Sequence, residues 1–249
     1  MAERTAVVFI HGLWLHASSW DRWVDLFAAH GYAAVAPGWP GDEPTVGATR
    51  RSPSALSGRS ILEVTEHYAR VAEGFTARPV LIGHGLGGFL ALTLATQTHA
   101  AGVIAIDGPP VTAMAPASRE LAAGHGAVTL SREEFHAVYG NALSRQESDQ
   151  LYEQWAIPAP PWALGEPVGP GTLAPGPGGR GTNSSRGPTL LVASAKNPAA
   201  ARDASAKRGL LGPASDMVVF ADRGPSLVID AGWQHVAESC LSWMDAQEL

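Results

Sequence analysis

Residues 78–107, RPVLIGHGLGGFLALTLATQTHAAGVIAID, decide how the rest of the chain is read. A β-like run from Pro79 to Ile82 leads into a glycine-rich turn and a helix-like run. A second β-like run then ends in Asp107. Two motifs overlap on the turn. Gly83, Gly85 and Gly88 fit G-x-G-x-x-G, with an acid about twenty residues on, the form of a dinucleotide-binding fingerprint. Gly83, Gly85 and Gly87 fit G-x-S-x-G, the nucleophile elbow, with glycine at the serine position.

The flanking pattern limits the fold. TAVVFIHG (5–12) reads as a buried strand. SSWDRWVDLFAAHG (18–31) reads as a helix, with a Ser18/Asp21 capping pattern, Trp20, Trp23, Val24 and Phe27 on one face, and Gly31 as a stop. YAAVAPG (32–38) is a second strand, and 41–59 reads as a loop. SILEVTEHYARVAEG (60–74) is the clearest helix, capped by Ser60 and Glu63, with Ile61, Val64, Tyr68 and Val71 on its apolar face. Up to residue 107 the order is βαβαβαβ. This predicts an α/β fold with a mostly parallel sheet covered by helices on both faces.

Residues 109–187 break the pattern with no convincing core strand. Ser131/Glu134 and Ser144/Glu147 start two expected helices. In 165–188 thirteen of twenty-four residues are Gly or Pro, which disfavours regular structure. TLLVAS (189–194) and MVVFAD (217–222) resume the strands, and a helix over about 233–247 closes the chain. The expected organisation is one α/β core, 1–108 and 188–249, carrying an inserted helical cap, 109–187. No internal repeat is visible.

Composition narrows the function classes. The chain has 249 residues, 45% hydrophobic and 16% charged, which suits one large globular domain. No apolar run is long enough to span a bilayer. The N-terminus reads as a first core strand rather than a signal peptide, so a cytoplasmic location is expected. Net charge is −6 with no long basic or acidic run and only isolated basic pairs such as Arg50-Arg51, against a nucleic-acid surface. The single cysteine, Cys240, excludes an internal disulfide and a cysteine-based zinc site, and its apolar neighbours place it in the core. The nine histidines contain no H-E-x-x-H, and His11 and His16 are five apart in a turn-like stretch. Neither a metal nor a cofactor is expected, and a homodimer is left open.

The dinucleotide reading has the right strand-turn-helix context, and a helix N-terminus favours a pyrophosphate. Yet that unit usually opens its domain, and here two strands and two helices precede it. The elbow reading uses more of the chain. A sharp strand-to-helix turn needs small residues around the nucleophile, and an oxyanion hole needs one N–H after it and one from the loop after an earlier strand. FIHGLWLHASSW is such a loop. HGLWLHASSW and GHGLGG, together with APGWPG and DRGPSLVID, resemble the α/β-hydrolase family, in its esterase and hydroxynitrile-lyase branch, along nearly the whole chain. The resemblance implies oxyanion N–H groups on Leu13 and Leu86. It also implies triad positions at Gly85, Asn197 and Pro225, none of which carries the family's Ser, acid or His. On that carry-over, ordinary acyl-enzyme hydrolysis is chemically excluded.

Other side chains are weighed against structural roles. His84 is expected behind the turn and His11 as a brace of the oxyanion loop. His16 and Trp14 are placed to see a pocket, though a plain loop histidine is the simpler reading of His16. Asp107 ends a strand at the sheet's carboxyl edge, where it either acts as a base or caps the next turn. Trp155 and Trp162 line a pocket from the cap or pack in the core. The expected function is a cofactor-independent, non-hydrolytic enzyme: a cyclase, pericyclase, lyase or isomerase. Its expected substrate is a small apolar, polyketide-like metabolite, shaped by the pocket and stabilised by the oxyanion donors. The alternatives are a ligand-binding pseudoenzyme, a hydrolase with displaced residues such as Asp107, and a dinucleotide-dependent oxidoreductase.

Overall fold

The computed structural model describes residues 5–95, 98, 100–108, 126–164, 187–197 and 215–249. Six strands form one parallel sheet: β1 (Ala6–Ile10), β2 (Ala33–Val35), β3 (Val80–His84), β4 (Gly102–Ile106), β5 (Thr189–Ser194) and β6 (Ser215–Phe220). Their spatial order is β2-β1-β3-β4-β5-β6. The chain starts beside the sheet edge, returns past β1 to β3, and then builds outward in one direction.

Strand alternation splits the core into two layers. Val7 and Phe9 of β1, Val80 and Ile82 of β3, and Ile104 and Ile106 of β4 face one layer. There they meet Trp23 and Phe27 of α1 (Asp21–Ala29) and Cys240 and Met244 of the last helix, α8 (Trp233–Ala246). Val8, Ile10, Leu81 and Val103 face the other layer, with Val64 and Tyr68 of α4 (Ile61–Glu73) and Leu90 and Leu94 of α5 (Leu86–Ala95). Both faces of the central strands are covered, which is why they read as continuous apolar runs. Cys240 lies wholly in the first layer, and burial pushes its thiol up to about 12.

Local signals fare differently. The capping boxes at Ser60/Glu63, Ser131/Glu134 and Ser144/Glu147 all form, opening α4, α6 (Arg132–Val138) and α7 (Arg145–Trp155). The Ser18/Asp21 box does not. Instead the His16 Nδ1 accepts the Ser18 N–H and caps a 3-10 turn, Ala17–Trp20, so α1 starts at Asp21. The expected 41–59 loop contains two short helices, α2 (Val46–Arg51), capped by the Thr45 hydroxyl, and α3 (Ser54–Ser57).

The described part of the insertion, 126–164, is bonded firmly to the core. An isolated bridge joins Leu15 to Ala156, and a second, Val128 to Ala159, closes the segment on itself. Arg50 donates to the carbonyls of Ala156 (2.7 Å), Tyr152 (2.6 Å) and Glu153 (3.1 Å), at the C-terminus of α7. The Gly/Pro-rich segment, apart from residues 187 and 188, lies outside the described residues. Among the described residues, no helix is long and apolar enough to cross a membrane, and no group of His, Cys, Asp or Glu is arranged to hold a metal ion.

Candidate active site

The turn between β3 and α5 is a strand-to-helix elbow. Gly85 sits at its apex with φ 55°, and its N–H donates to the Ile106 carbonyl at 2.9 Å. The flanking glycines have steric causes. A Cβ on Gly83 would stand 2.0 Å from the Gly87 carbonyl oxygen, and one on Gly87 would stand 2.1 Å from that of Ile10. Gly85 differs. Among the described residues a Cβ there would meet only Gly12 Cα, at 3.9 Å, so these residues leave room for a side chain at the apex. The G-x-G-x-x-G match thus reflects close packing of the elbow on β1 and on itself, in the third strand-turn-helix unit of the chain.

Facing the elbow is the turn after β1, residues 11–16. The His11 Nδ1–H donates to the Gly12 carbonyl at 3.0 Å. His11 Nε2 lies 3.1 Å from the Asp42 carboxylate, and the Trp39 N–H points at both. The His11 ring stacks on Trp39, which stacks in turn on Trp162. Trp14 has φ 58°, a left-handed conformation that costs a non-glycine residue about 1–2 kcal/mol. Among the described residues no hydrogen bond uses the N–H of Leu13 or of Leu86.

Two further groups close the back of the site. The buried His84 donates its Nε2–H to the Pro225 carbonyl (2.9 Å), which ties the loop after β6 to the elbow. Its Nδ1 is buried without a partner. Burial lowers its pKa to about 4, against a smaller raising effect of the Pro225 carbonyl, so the ring is neutral at physiological pH. Tyr139, at the end of α6, packs its ring 6.0 Å from that of His84 and donates its hydroxyl to the Leu13 carbonyl. Burial pushes the Tyr139 phenol well above its ordinary range.

The structure gathers only part of the expected set. Leu13, Leu86, Trp14 and Trp162 pack on the layer that contains Phe89 and Trp39. Trp155 belongs to the opposite layer, buried, with the Arg22 guanidinium 5.1 Å over its ring. His16 is buried and both ring nitrogens are engaged, Nδ1 with Ser18 and Nε2 with the Glu43 carbonyl (2.9 Å), so no nitrogen faces a ligand. The Asp107 carboxylate accepts the Ser194 N–H (2.7 Å) and the Ser194 hydroxyl, joining the ends of β4 and β5. Asp107 itself has φ 44°. Asn197 is half-buried in the turn after β5. Sequence reasoning missed the Asp42 partner of His11 and the grip of Tyr139 on Leu13. Both join residues far apart in the chain and leave no local pattern.

The chain belongs to the alpha/beta hydrolase family, whose model matches residues 7–237. A search of the curated proteins finds no match. Among solved structures it is similar to an extracellular alpha/beta-hydrolase from a Paenibacillus species, with 17% identity, TM-score 0.71, and 96% and 98% of the two chains covered. A carboxylesterase of the ammonia-oxidising thaumarchaeon Nitrososphaera gargenis gives 15% identity and TM-score 0.74, covering 100% and 92%. The thioesterase domain from the curacin biosynthetic pathway gives 20% identity and TM-score 0.60, covering 97% and 92%. At these identities the likeness is one of fold.

Proposed function

We propose that this α/β-hydrolase-fold chain is a non-hydrolytic enzyme of the cyclase, pericyclase, lyase or isomerase type. Its substrate is a small apolar, polyketide-like metabolite. The observation that carries the reading is Gly85, which holds the left-handed apex conformation of an elbow with only Gly12, among the described residues, near where a nucleophile's side chain would stand. Glycine offers nothing to attack with. In the family carry-over Asn197 lacks the acid's charge and Pro225 lacks an imidazole, so the acyl-enzyme route has no nucleophile, base or orienting acid. A relocated serine finds no support at Ser194, which is fully buried and bonded to Asp107. What remains is backbone. The unused N–H groups of Leu13 and Leu86 are assigned as the donors to a developing enolate or alkoxide, a term that can dominate catalysis. Trp14 and Trp162 are assigned to the apolar wall that shapes the substrate.

The test compares metabolites of the source strain with and without this gene, then adds purified protein to the deletion extract. Accumulation of an isomer, or of a compound differing by one small leaving molecule, that the protein then converts is the expected result. Stoichiometric labelling of one serine by a fluorophosphonate would overturn the proposal in favour of a hydrolase. Matching extracts with no conversion would move the protein to the binding-only class. Gly85→Ser alone is expected to leave ester hydrolysis absent, because base and acid are missing too.

A further inference from the structure

The geometry points to Tyr139, from the inserted segment, as a positioning residue that aims the Leu13 N–H at the reacting oxygen. The inference rests on the oxyanion reading proposed above. It starts from one peptide unit. The Gly12 carbonyl and the Leu13 N–H share a plane and point in opposite directions. His11 holds that carbonyl from the core side, which turns the Leu13 N–H away from His11. The next peptide unit is fixed by its own carbonyl, Leu13 C=O, which accepts the Tyr139 hydroxyl. Leu13 is therefore held on both sides, once by its own neighbour and once by a side chain 126 residues away.

The rest of the turn is held in the same way. The Trp14 indole donates to the Val128 carbonyl (3.2 Å). The Trp14 carbonyl accepts the Ile157 N–H (3.0 Å), and the His16 N–H donates to the Trp155 carbonyl (2.9 Å). All these partners belong to 126–164. The left-handed Trp14 would relax toward an ordinary conformation without them, and the Leu13 N–H would swing with it. Residues 126–164 thus brace the turn that carries the donor. Tyr139 is their most direct contact, buried, with its hydroxyl also 3.5 Å from the position a Gly12 Cβ would take.

The experiment reads donor strength without knowing the substrate. The probe is 4-nitrophenol, whose phenolate absorbs visible light, added to 15N-labelled protein. The amide signals of Leu13 and Leu86 are expected to shift, and the bound phenol to ionise at lower pH than the free one. Tyr139→Phe is expected to raise the ionisation pH of the bound phenol by about half a unit to one unit. Tyr152→Phe is the control, since it deletes an equivalent hydroxyl-to-carbonyl bond (to Leu130, 2.9 Å) that does not touch the 11–16 turn. It is expected to leave the phenol unchanged. If neither amide moves, the oxyanion reading falls and this inference falls with it. If both amides move but Tyr139→Phe leaves the ionisation where it was, or shifts it no more than Tyr152→Phe, only the positioning role is overturned.

Discussion

The elbow at 83–88 and the turn at 11–16 face each other, and they are held in different ways. The elbow is made mainly of backbone contacts, Gly83 on Gly87, Gly87 on Ile10 and Gly85 on Gly12, with the His84 ring tying it to the Pro225 carbonyl. The 11–16 turn keeps a strained tryptophan in place through bonds to Val128, Tyr139, Trp155 and Ile157. A change of side chain at the apex leaves the first kind of structure untouched. The second kind persists only while a distant segment stays docked. The contrast explains how an elbow can keep its shape around a glycine.

The largest expected effect breaks the elbow itself. Gly87→Ala puts a methyl 2.1 Å from the Ile10 carbonyl oxygen, backbone against backbone, with no flexible group to yield. A loss of at least about 3 kcal/mol, or failure to fold, is expected. Gly85→Ala meets nothing closer than 3.9 Å and costs only the left-handed conformation, about 1 kcal/mol. Urea midpoints of the two variants check this. Equal losses would mean that the apex is not open.

A second prediction concerns the group that joins elbow and Pro225 loop. The folded pKa of His84 is depressed from 6.5 to about 4, mainly by burial. Below 6.5 the unfolded chain takes up the proton first. The contribution of neutral His84 is therefore complete above pH 6.5, shrinks as pH falls, and is gone near pH 4. The gap corresponds to about 3 kcal/mol. Denaturation of the protein and of His84→Gln at pH 7 and pH 4 isolates this group, because the other acids titrate in both. The parent should lose about 3 kcal/mol more than the variant. Equal losses would show that the ring is solvated in the folded state.

The same contrast explains what the sequence reveals. Three capping boxes, the central strands and the elbow glycines are legible because their causes lie within a few residues of one another. The Ser18/Asp21 box fails because His16, two residues upstream, offers Nδ1 to the same N–H. Trp155 reads from its helical spacing as core more readily than as pocket wall, and it packs in the opposite layer of the sheet. Asp107 is placed at the strand end by its neighbours, but its Ser194 partner stands 87 residues away. Nothing local to Tyr139 marks its hydroxyl for Leu13, 126 residues away.

The smallest effect sharpens the comparison most. Arg50 forks onto three carbonyls at the end of α7, immediately before the residues that hold the 11–16 turn. A lysine has one nitrogen and no fork, so Arg50→Lys should cost about 1–2 kcal/mol. The cost should appear unevenly. The His16 N–H, which donates to the Trp155 carbonyl, and the Ile157 N–H, which donates to the Trp14 carbonyl, join the turn to the end of α7 and should exchange faster with solvent. The backbone amides of 83–88 depend on β1, on β4 and on each other and should keep their parent rates. Equal acceleration in both regions would mean that the two are one cooperative unit, and that a docked insertion stabilises the elbow as well.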